Sequence, residues 1–347
     1  NILFKLMQEN EHAFAQYIRI LGKGRTGSRS LNLHEAEQAM SMILQGNARP
    51  EQIGAFLMLL RVKEESAEEI AGFVLACRKA IGYQRPESLS VDLDWSSYAG
   101  KRRQPNWYIL AMLLLASQGY KIFAHGACGH TPGRIYTEEV FKALNLPIAR
   151  NWQEAETAIT EHKLCFMALQ SFCEPLDQLI QLRALFGLRS PVHTLCRLLN
   201  PLAAAATLQS VFHPSYANTH HHAAQLLDEP NTMVIKGDSG EFEFRPQANL
   251  TIKQLSKGQS STFTLARSSA IKPTIDLDIK HLKALWQGEF DASNTAEYKF
   301  AEQAVIGTAA LALLTMNEAS DFDEAKIIAE QYWQQRNQNL LANYGAT

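Results

Sequence analysis

The hydrophobic pattern changes period near residue 88, and this change constrains the fold more than any other feature. Before it, apolar residues recur at helical spacing. Asn32 and Glu35 form a capping-box pattern that opens a face of Leu33, Ala36, Met40, Ile43 and Leu44, ending at Gly46. Pro50 suits the first turn of a following helix, with Ile53, Phe56, Leu57 and Leu60 inward. Ser66 and Glu69 open a third, carrying Ile70, Phe73, Val74, Cys77 and Ile81 to a terminating Gly82. Short connections between amphipathic helices predict an all-α domain over residues 1–84.

Beyond residue 88, short β-rich runs at 90–93, 120–124 and 164–169 alternate with helices at 105–119, 137–144 and 152–162. That alternation predicts right-handed β-α-β crossovers and a mostly parallel sheet. Helices at 175–186 and 191–199 are expected to rejoin the N-terminal domain. Later strands are expected at 233–236, 241–245, 250–254 and 262–265, two of them antiparallel, before three closing helices at 277–287, 295–315 and 322–341. The expected fold class is α/β with an all-α domain. Residues 1–84, joined by about 175–200, make the helical unit; residues 85–174 and 201–347 make a mixed, mostly parallel sheet flanked by helices.

Composition narrows the setting. Hydrophobic residues at 46% and charged residues at 20% allow a sizeable core and exclude disorder as the main state. The most apolar run, 109–116, is about half a membrane span, and no basic-then-apolar leader opens the chain. Cys77, Cys128, Cys165, Cys173 and Cys196 contain no Cys-x-x-Cys pair, which favours a reducing cytosol over disulfides or structural zinc. A cytoplasmic location without a membrane partner is expected.

The net charge of −2 hides a strong polarity. Residues 12–34, 95–134 and 178–227 carry twelve basic groups and no acid; the other 234 residues hold 21 basic and all 35 acidic groups, a balance of −14. Such local excess, not the total, attracts an anionic ligand.

Gly22, Gly24 and Gly27 spell G-x-G-x-x-G. A dinucleotide fingerprint follows a strand, and this one follows a helix, so it reads as an interhelical loop whose informative residues are Lys23, Arg25 and Arg29. The stretch 95–108 sits at the carboxyl end of the first expected strand, where open α/β sheets bind ligands. There Lys101, Arg102 and Arg103 suit phosphate contact, while Trp95, Trp107 and Tyr108 suit core packing better than base stacking. His125-Gly126 ends the next strand, followed by a loop to Arg134; His125 is either a base or phosphate donor, or satisfied locally. Around Gly237 and Gly240, Asp238, Glu241 and Glu243 could hold Mg²⁺, although the alternation 241–244 reads more simply as a strand with one solvated acidic face. His220, His221 and His222 lack the i, i+4 spacing of a chelating pair and read as helix surface.

The helical opening, His125-Gly126, Phe186-Gly187-Leu188-Arg189-Ser190 and Leu198-Leu199-Asn200-Pro201 resemble anthranilate phosphoribosyltransferase and its relatives in glycosyltransferase family 3. The resemblance implies a helical domain on a mixed α/β domain, homodimerised through the former. Its departures are informative. Where the transferases carry Gly-Thr-Gly-Gly-Asp for the pyrophosphate of phosphoribosyl pyrophosphate, this chain has Ser97-Tyr98-Ala99-Gly100-Lys101-Arg102-Arg103. Where they carry an Asp-Glu pair for magnesium, it has Gly240-Glu241-Phe242-Glu243, and Ala127 replaces the Asn after His-Gly. Arg189 matches the anthranilate-binding arginine. Ser97-Tyr98-x-Gly100-x-Arg102, Pro132-x-Arg134, Phe172-Cys173-x-Pro175-Leu176 and His213-Pro214-x-Tyr216 resemble the YbiB-type branch, which implies nucleic-acid binding in place of transfer.

Three functions are expected to compete. The first is sequence-independent binding of nucleic acid, single-stranded in preference, in a basic interdomain groove, with no cofactor. Lys23, Arg25 and Arg29 lie on one side of it and Lys101, Arg102, Arg103, Arg134 and Arg189 on the other, with Tyr98, Gly100, His125, Gly126 and Asn200 along the cleft. The second is phosphoribosyl transfer from phosphoribosyl pyrophosphate with Mg²⁺ at Glu241 and Glu243. The third is a small-molecule-binding regulator without turnover.

Overall fold

The computed structural model describes residues 11–24, 26–82, 85–127, 129–271, 275–289 and 295–344, so Arg25 and Cys128 lie outside the described residues. Helices α1 (Ala15–Gly22), α2 (Leu33–Leu44), α3 (Pro50–Lys63) and α4 (Ala67–Gly82) follow the expected periodicity. Both capping boxes form. Asn32 and Glu35 exchange backbone-to-side-chain hydrogen bonds of 2.9 Å, and Ser66 and Glu69 do the same at 2.8 and 3.2 Å. Glu69 is buried, accepts from the Leu31 N–H and pairs with Lys63, so this cap also ties α4 to the end of α3 and to the loop before α2. Helices α2 and α4 lie so close that a Cβ on Gly72 would stand 2.3 Å from the Leu33 carbonyl oxygen.

The sheet contains β1 (Leu93–Ser97), β2 (Ile122–Gly126), β3 (Ile148–Ala149), β4 (Leu164–Ala168), β5 (Ala206–Ser210), β6 (Asn231–Ile235), β7 (Leu250–Ser256) and β8 (Gln259–Leu265), in the order β3-β4-β2-β1-β5-β6-β7-β8. Its first six strands pair in parallel; β7 and β8 add antiparallel. Between and after them run α5 (Trp107–Ser117), α6 (Thr137–Ala143), α7 (Trp152–His162), α8 (Leu169–Phe172), α9 (Glu174–Gln181), α10 (Arg183–Phe186), α11 (Val192–Leu195), α12 (Tyr216–Leu226), α13 (Lys280–Gln287), α14 (Thr295–Thr315), α15 (Phe322–Gln335) and α16 (Leu340–Tyr344).

Alternate residues of the parallel strands serve two cores. Phe123, Cys165 and Met167 share one with α1–α4, α9 and α11, so the helices after β4 pack with the N-terminal bundle. Trp95, Ala124, Phe166, Leu208 and Met233 face the other, beneath α5, α14 and α15. Both faces are covered, which explains the near-continuous apolar strands. Helix α5 is buried from Trp107 to Ala116, as its uniform hydrophobicity requires.

Three local expectations fail. Residues 241–245 form no strand: Asp238 and Glu241 make one isolated bridge, and Glu241, Phe242, Glu243 and Phe244 are all buried. The alternation is real, but both of its faces point inward. His220 and His221 are buried rather than on the surface; Gln209 meets His220 at 3.1 Å, and burial pushes His220 down to about 3. The last long helix is two, α15 and α16: the backbone leaves the helical region at Arg336, with ψ 145°, whose guanidinium lies over Trp333 and donates to the Leu285 and Trp286 carbonyls. No helix among the described residues is long and apolar enough to cross a membrane, and Cys77, Cys165, Cys173 and Cys196 are buried thiols.

Candidate functional site

The parallel strands end along one edge, and the chain leaves β1 toward β2 but β5 toward β6. That reversal leaves a crevice outside the β1 and β5 carboxyl ends, where doubly wound sheets place ligands. A cavity of about 590 Å³ occupies it. Arg102 follows β1; Thr131 and Arg134 follow β2; Arg183, Arg189, His193 and Arg197 come from the helices after β4 and the turns that join and follow them. Phe212 and Tyr216 follow β5, and Arg61 and Glu65 close the wall from α3 and the α3–α4 turn.

Six arginines therefore face a single carboxylate, and among the described residues none of the six makes an ion pair. Neutral acceptors hold several of them. Arg134 donates to the Ala99, Gly100 and Ser239 carbonyls, Arg183 to the His130 carbonyl at 2.8 Å, Arg197 to the His193 carbonyl, and Arg61 to the Tyr216 hydroxyl at 3.1 Å. A guanidinium has five N–H donors, so capacity remains. Burial, and then Arg197, Arg134 and Arg183, push Arg189 down to about 10, which still leaves it charged at neutral pH. An anion in the cavity would relieve that repulsion. Burial also drives His193 far below the usual histidine range, reinforced by His130, Arg189 and Arg197. Its Nε2, Glu65 Oε2 and Arg183 Nε are buried without partners, an unusual concentration of unmet polar atoms on one wall.

The loop after β1 looks able to cradle pyrophosphate, but it is already filled. Gly100, at φ +68°, turns the backbone so that its N–H and that of Ala99 converge. They donate to Glu241 Oε1 at 2.6 and 2.7 Å, while Ser97 Oγ donates to Glu241 Oε2 at 2.8 Å. Burial raises the Glu241 carboxyl above its usual range, opposed by these bonds and by Arg197. Two backbone hydrogen bonds with Ile135 pin Lys101 so that its side chain, expected to be a free phosphate ligand, turns inward. It is 0% exposed and pairs with Asp238 at 2.5 Å and with Glu243. Glu243 Oε2 in turn accepts the Tyr108 N–H at the start of α5, at 2.9 Å. Both carboxylates expected as magnesium ligands are thus committed to internal donors. Among the described residues no group of three or more His, Cys, Asp or Glu is arranged to hold a metal ion. The donor set does not fit Mg²⁺.

The other expected site residues separate. Arg102, Arg134 and Arg189 line the cavity; Arg103 is exposed beyond its lining. Lys23 is exposed and does not line it, and Arg29 is bound bidentately by Glu35 at 2.7 Å. Tyr98 and His125 lie buried below the cleft, the Tyr98 hydroxyl 2.7 Å from His125 Nδ1 and Asp94 3.2 Å from Nε2, so His125 is satisfied locally. Gly126 is required there because a Cβ would stand 2.0 Å from the Ser97 carbonyl oxygen. Asn200 bonds Ala204 and Glu229 and lines a different hollow beside Arg78. Sequence reasoning missed Arg61, Glu65, His193 and Phe212 as wall residues. Arg183 and Arg197 were visible only as cations in the acid-free stretch 178–227.

Fold and crevice together define a phosphoribosyltransferase-type architecture. Anthranilate phosphoribosyltransferase from Thermus thermophilus superposes with a TM-score of 0.75 at 21% identity, covering 97% of this chain and 99% of that one. The Saccharomyces cerevisiae enzyme in complex with PRPP and Mg gives 0.76 at 18%, covering 96% and 97%. The chain belongs to glycosyl transferase family 3: the family's helical bundle domain matches residues 15–81 and its a/b domain residues 99–335. Within the family it falls with the YbiB-type branch. It is 28% identical to YbiB of Escherichia coli over 239 residues, 67% of this chain and 73% of that one. Anthranilate phosphoribosyltransferase of Methylocella silvestris is 27% identical over 322 residues, 89% of this chain and 88% of that protein.

Proposed function

We propose that this protein binds nucleic acid, single-stranded in preference, by seating backbone phosphates in the arginine-lined crevice. One observation carries the reading: six cavity arginines without a carboxylate partner among the described residues, beside a pyrophosphate-type loop occupied by the chain's own Glu241. Lys101 and Arg29, held by carboxylates, are not part of the surface; Arg61, Arg183 and Arg197 join Arg102, Arg134 and Arg189 in it. The proposal places the protein in the cytoplasm as a homodimer through its helical unit, residues 1–84 with about 175–200, packed on 85–174 and 201–347.

Neutralising phosphates releases counterions, so log K should fall linearly with log salt, with a slope of about −0.7 per phosphate contacted on a single strand. Replacing Arg183 and Arg189 by Ala should make that slope shallower by about 1.4, for two lost contacts, equally for all sequences. Fluorescence anisotropy of a labelled oligonucleotide across a salt series measures both quantities. A flat salt response in the parent protein would dispose of the reading.

The relationship to anthranilate phosphoribosyltransferases over 89% of the chain favours a second reading, phosphoribosyl transfer to an aromatic acceptor at the same crevice. Calorimetry with phosphoribosyl pyrophosphate and Mg²⁺ separates the two. Tight, magnesium-dependent heat selects the transferase; its absence leaves the phosphate-binding crevice.

A further inference from the structure

The crevice wall is not uniformly charged. Phe212 lines the cavity and is 45% exposed, although a phenyl ring gains by burial and both cores have taken up most of the other large apolar side chains. It stands just past the end of β5, its ring centroid 4.9 Å from that of His213 in a T-shaped arrangement rather than a stack. Between the cavity residues Arg183 and Arg189 the chain also exposes Leu185, at 81%, and Leu188, at 45%. Across the cavity, Arg61 reaches from the helical side to the Tyr216 hydroxyl, adding a planar cation and a second ring to the same mouth.

An anion-binding cavity for inorganic phosphate alone needs no exposed phenyl ring. A ligand that joins a phosphate to a flat π-surface uses both features, and a cavity of about 590 Å³ admits a nucleotide-sized group. Base-on-aromatic stacking does not depend on base identity, because every base offers a π-face.

We propose that Phe212 is a stacking platform that receives one unpaired base of a bound strand while the neighbouring arginines hold the flanking phosphates. This rests on the nucleic-acid reading, assigns to it a residue and a contact mode, and gives its preference for single strands a physical cause. A paired base inside a duplex has no free face to offer; a splayed one does.

Phe212→Ala is to be compared with the parent protein on two oligonucleotides of equal length, one with ordinary bases and one abasic throughout. The abasic strand keeps the phosphates and removes the π-faces. Phe212→Ala should weaken the ordinary strand about tenfold, leave the abasic strand within about twofold, and leave the slope of log K against log salt unchanged, since no phosphate contact is lost. Phe212→Trp should restore ordinary-strand affinity. A free mononucleotide serves as a third arm: if it alone shows the Phe212 dependence, the platform serves a small nucleotide and the strand proposal falls. Equal weakening of both oligonucleotides, or of neither, overturns the stacking role even while the parent protein binds DNA. No binding of any strand by the parent removes the underlying reading as well, so the two failures are distinct.

Discussion

Glu241→Ala should lose about 3 kcal/mol or more of stability and regain much of it in phosphate or pyrophosphate. The side chain accepts from the Ala99 and Gly100 N–H groups and from Ser97 Oγ, with Glu241 itself fully buried. Removing it orphans three donors in a site closed to bulk water, and each unmet donor costs about 1–3 kcal/mol. The vacated nest is of the kind that binds phosphate oxygens: converging backbone N–H groups at a strand end with Arg197 nearby. An anion that enters stabilises only the folded form, so the melting temperature should rise with phosphate in the variant and stay level in the parent at fixed ionic strength. Glu241→Gln is the control. Its amide oxygen can accept both N–H bonds and its NH₂ can donate to Ser97 Oγ, so it should melt near the parent and ignore phosphate. If Glu241→Ala folds and phosphate does not stabilise it, the loop is not a filled anion site. A donor pyrophosphate would have to displace this carboxylate, which is why the same variant should bind pyrophosphate more tightly than the parent does.

The architecture was legible because its signals are local and repeated. The Asn32–Glu35 and Ser66–Glu69 caps, the switch from helical to strand spacing and the uniformly apolar α5 each report on a few neighbouring residues, and each has its counterpart in the structure. The candidate site was only half legible, because it depends on which side chains meet across more than a hundred positions. Lys101, Arg102 and Arg103 are indistinguishable as a run of cations. The paired backbone bonds to Ile135 turn the first inward, while its two neighbours stay exposed. The acidic alternation at 241–244 misled for the same reason. Periodicity shows that two faces differ, and the buried donors that make an inward acidic face tolerable lie at Ser97, Gly100 and Lys101, some 140 residues away. Arg61 gives no sequence signal at all, since a cation in the last turn of a helix is ordinary.

The position of Lys101 changes how the basic loop must be tested. Reversing Lys101, Arg102 and Arg103 together would place a third acid among Asp238 and Glu243 and would report on folding, so the binding test belongs to Arg102 with Arg189. Lys101→Met should instead cost about 3–5 kcal/mol, the penalty for leaving buried carboxylates without their cation. The cost should depend on pH with a definite sign. Burial already raises Glu243 to about 7, helped by Asp238 and opposed by Lys101. Without Lys101 the opposition disappears, and the carboxyl must rise further. A carboxyl raised on folding holds a proton that the unfolded chain has released above its ordinary value near 4.5, so stability falls as pH increases until the folded-state value is passed. The deficit of Lys101→Met relative to the parent should therefore stay level up to about pH 6, where the carboxyl holds its proton in both folded proteins, and grow from about pH 7 upward. Urea titrations of both proteins at several pH values measure it as a change in midpoint at constant slope. A deficit that stays the same from about pH 6 to about pH 9 would mean that Lys101 merely fills space there, and that Glu243 and Asp238 have found other donors.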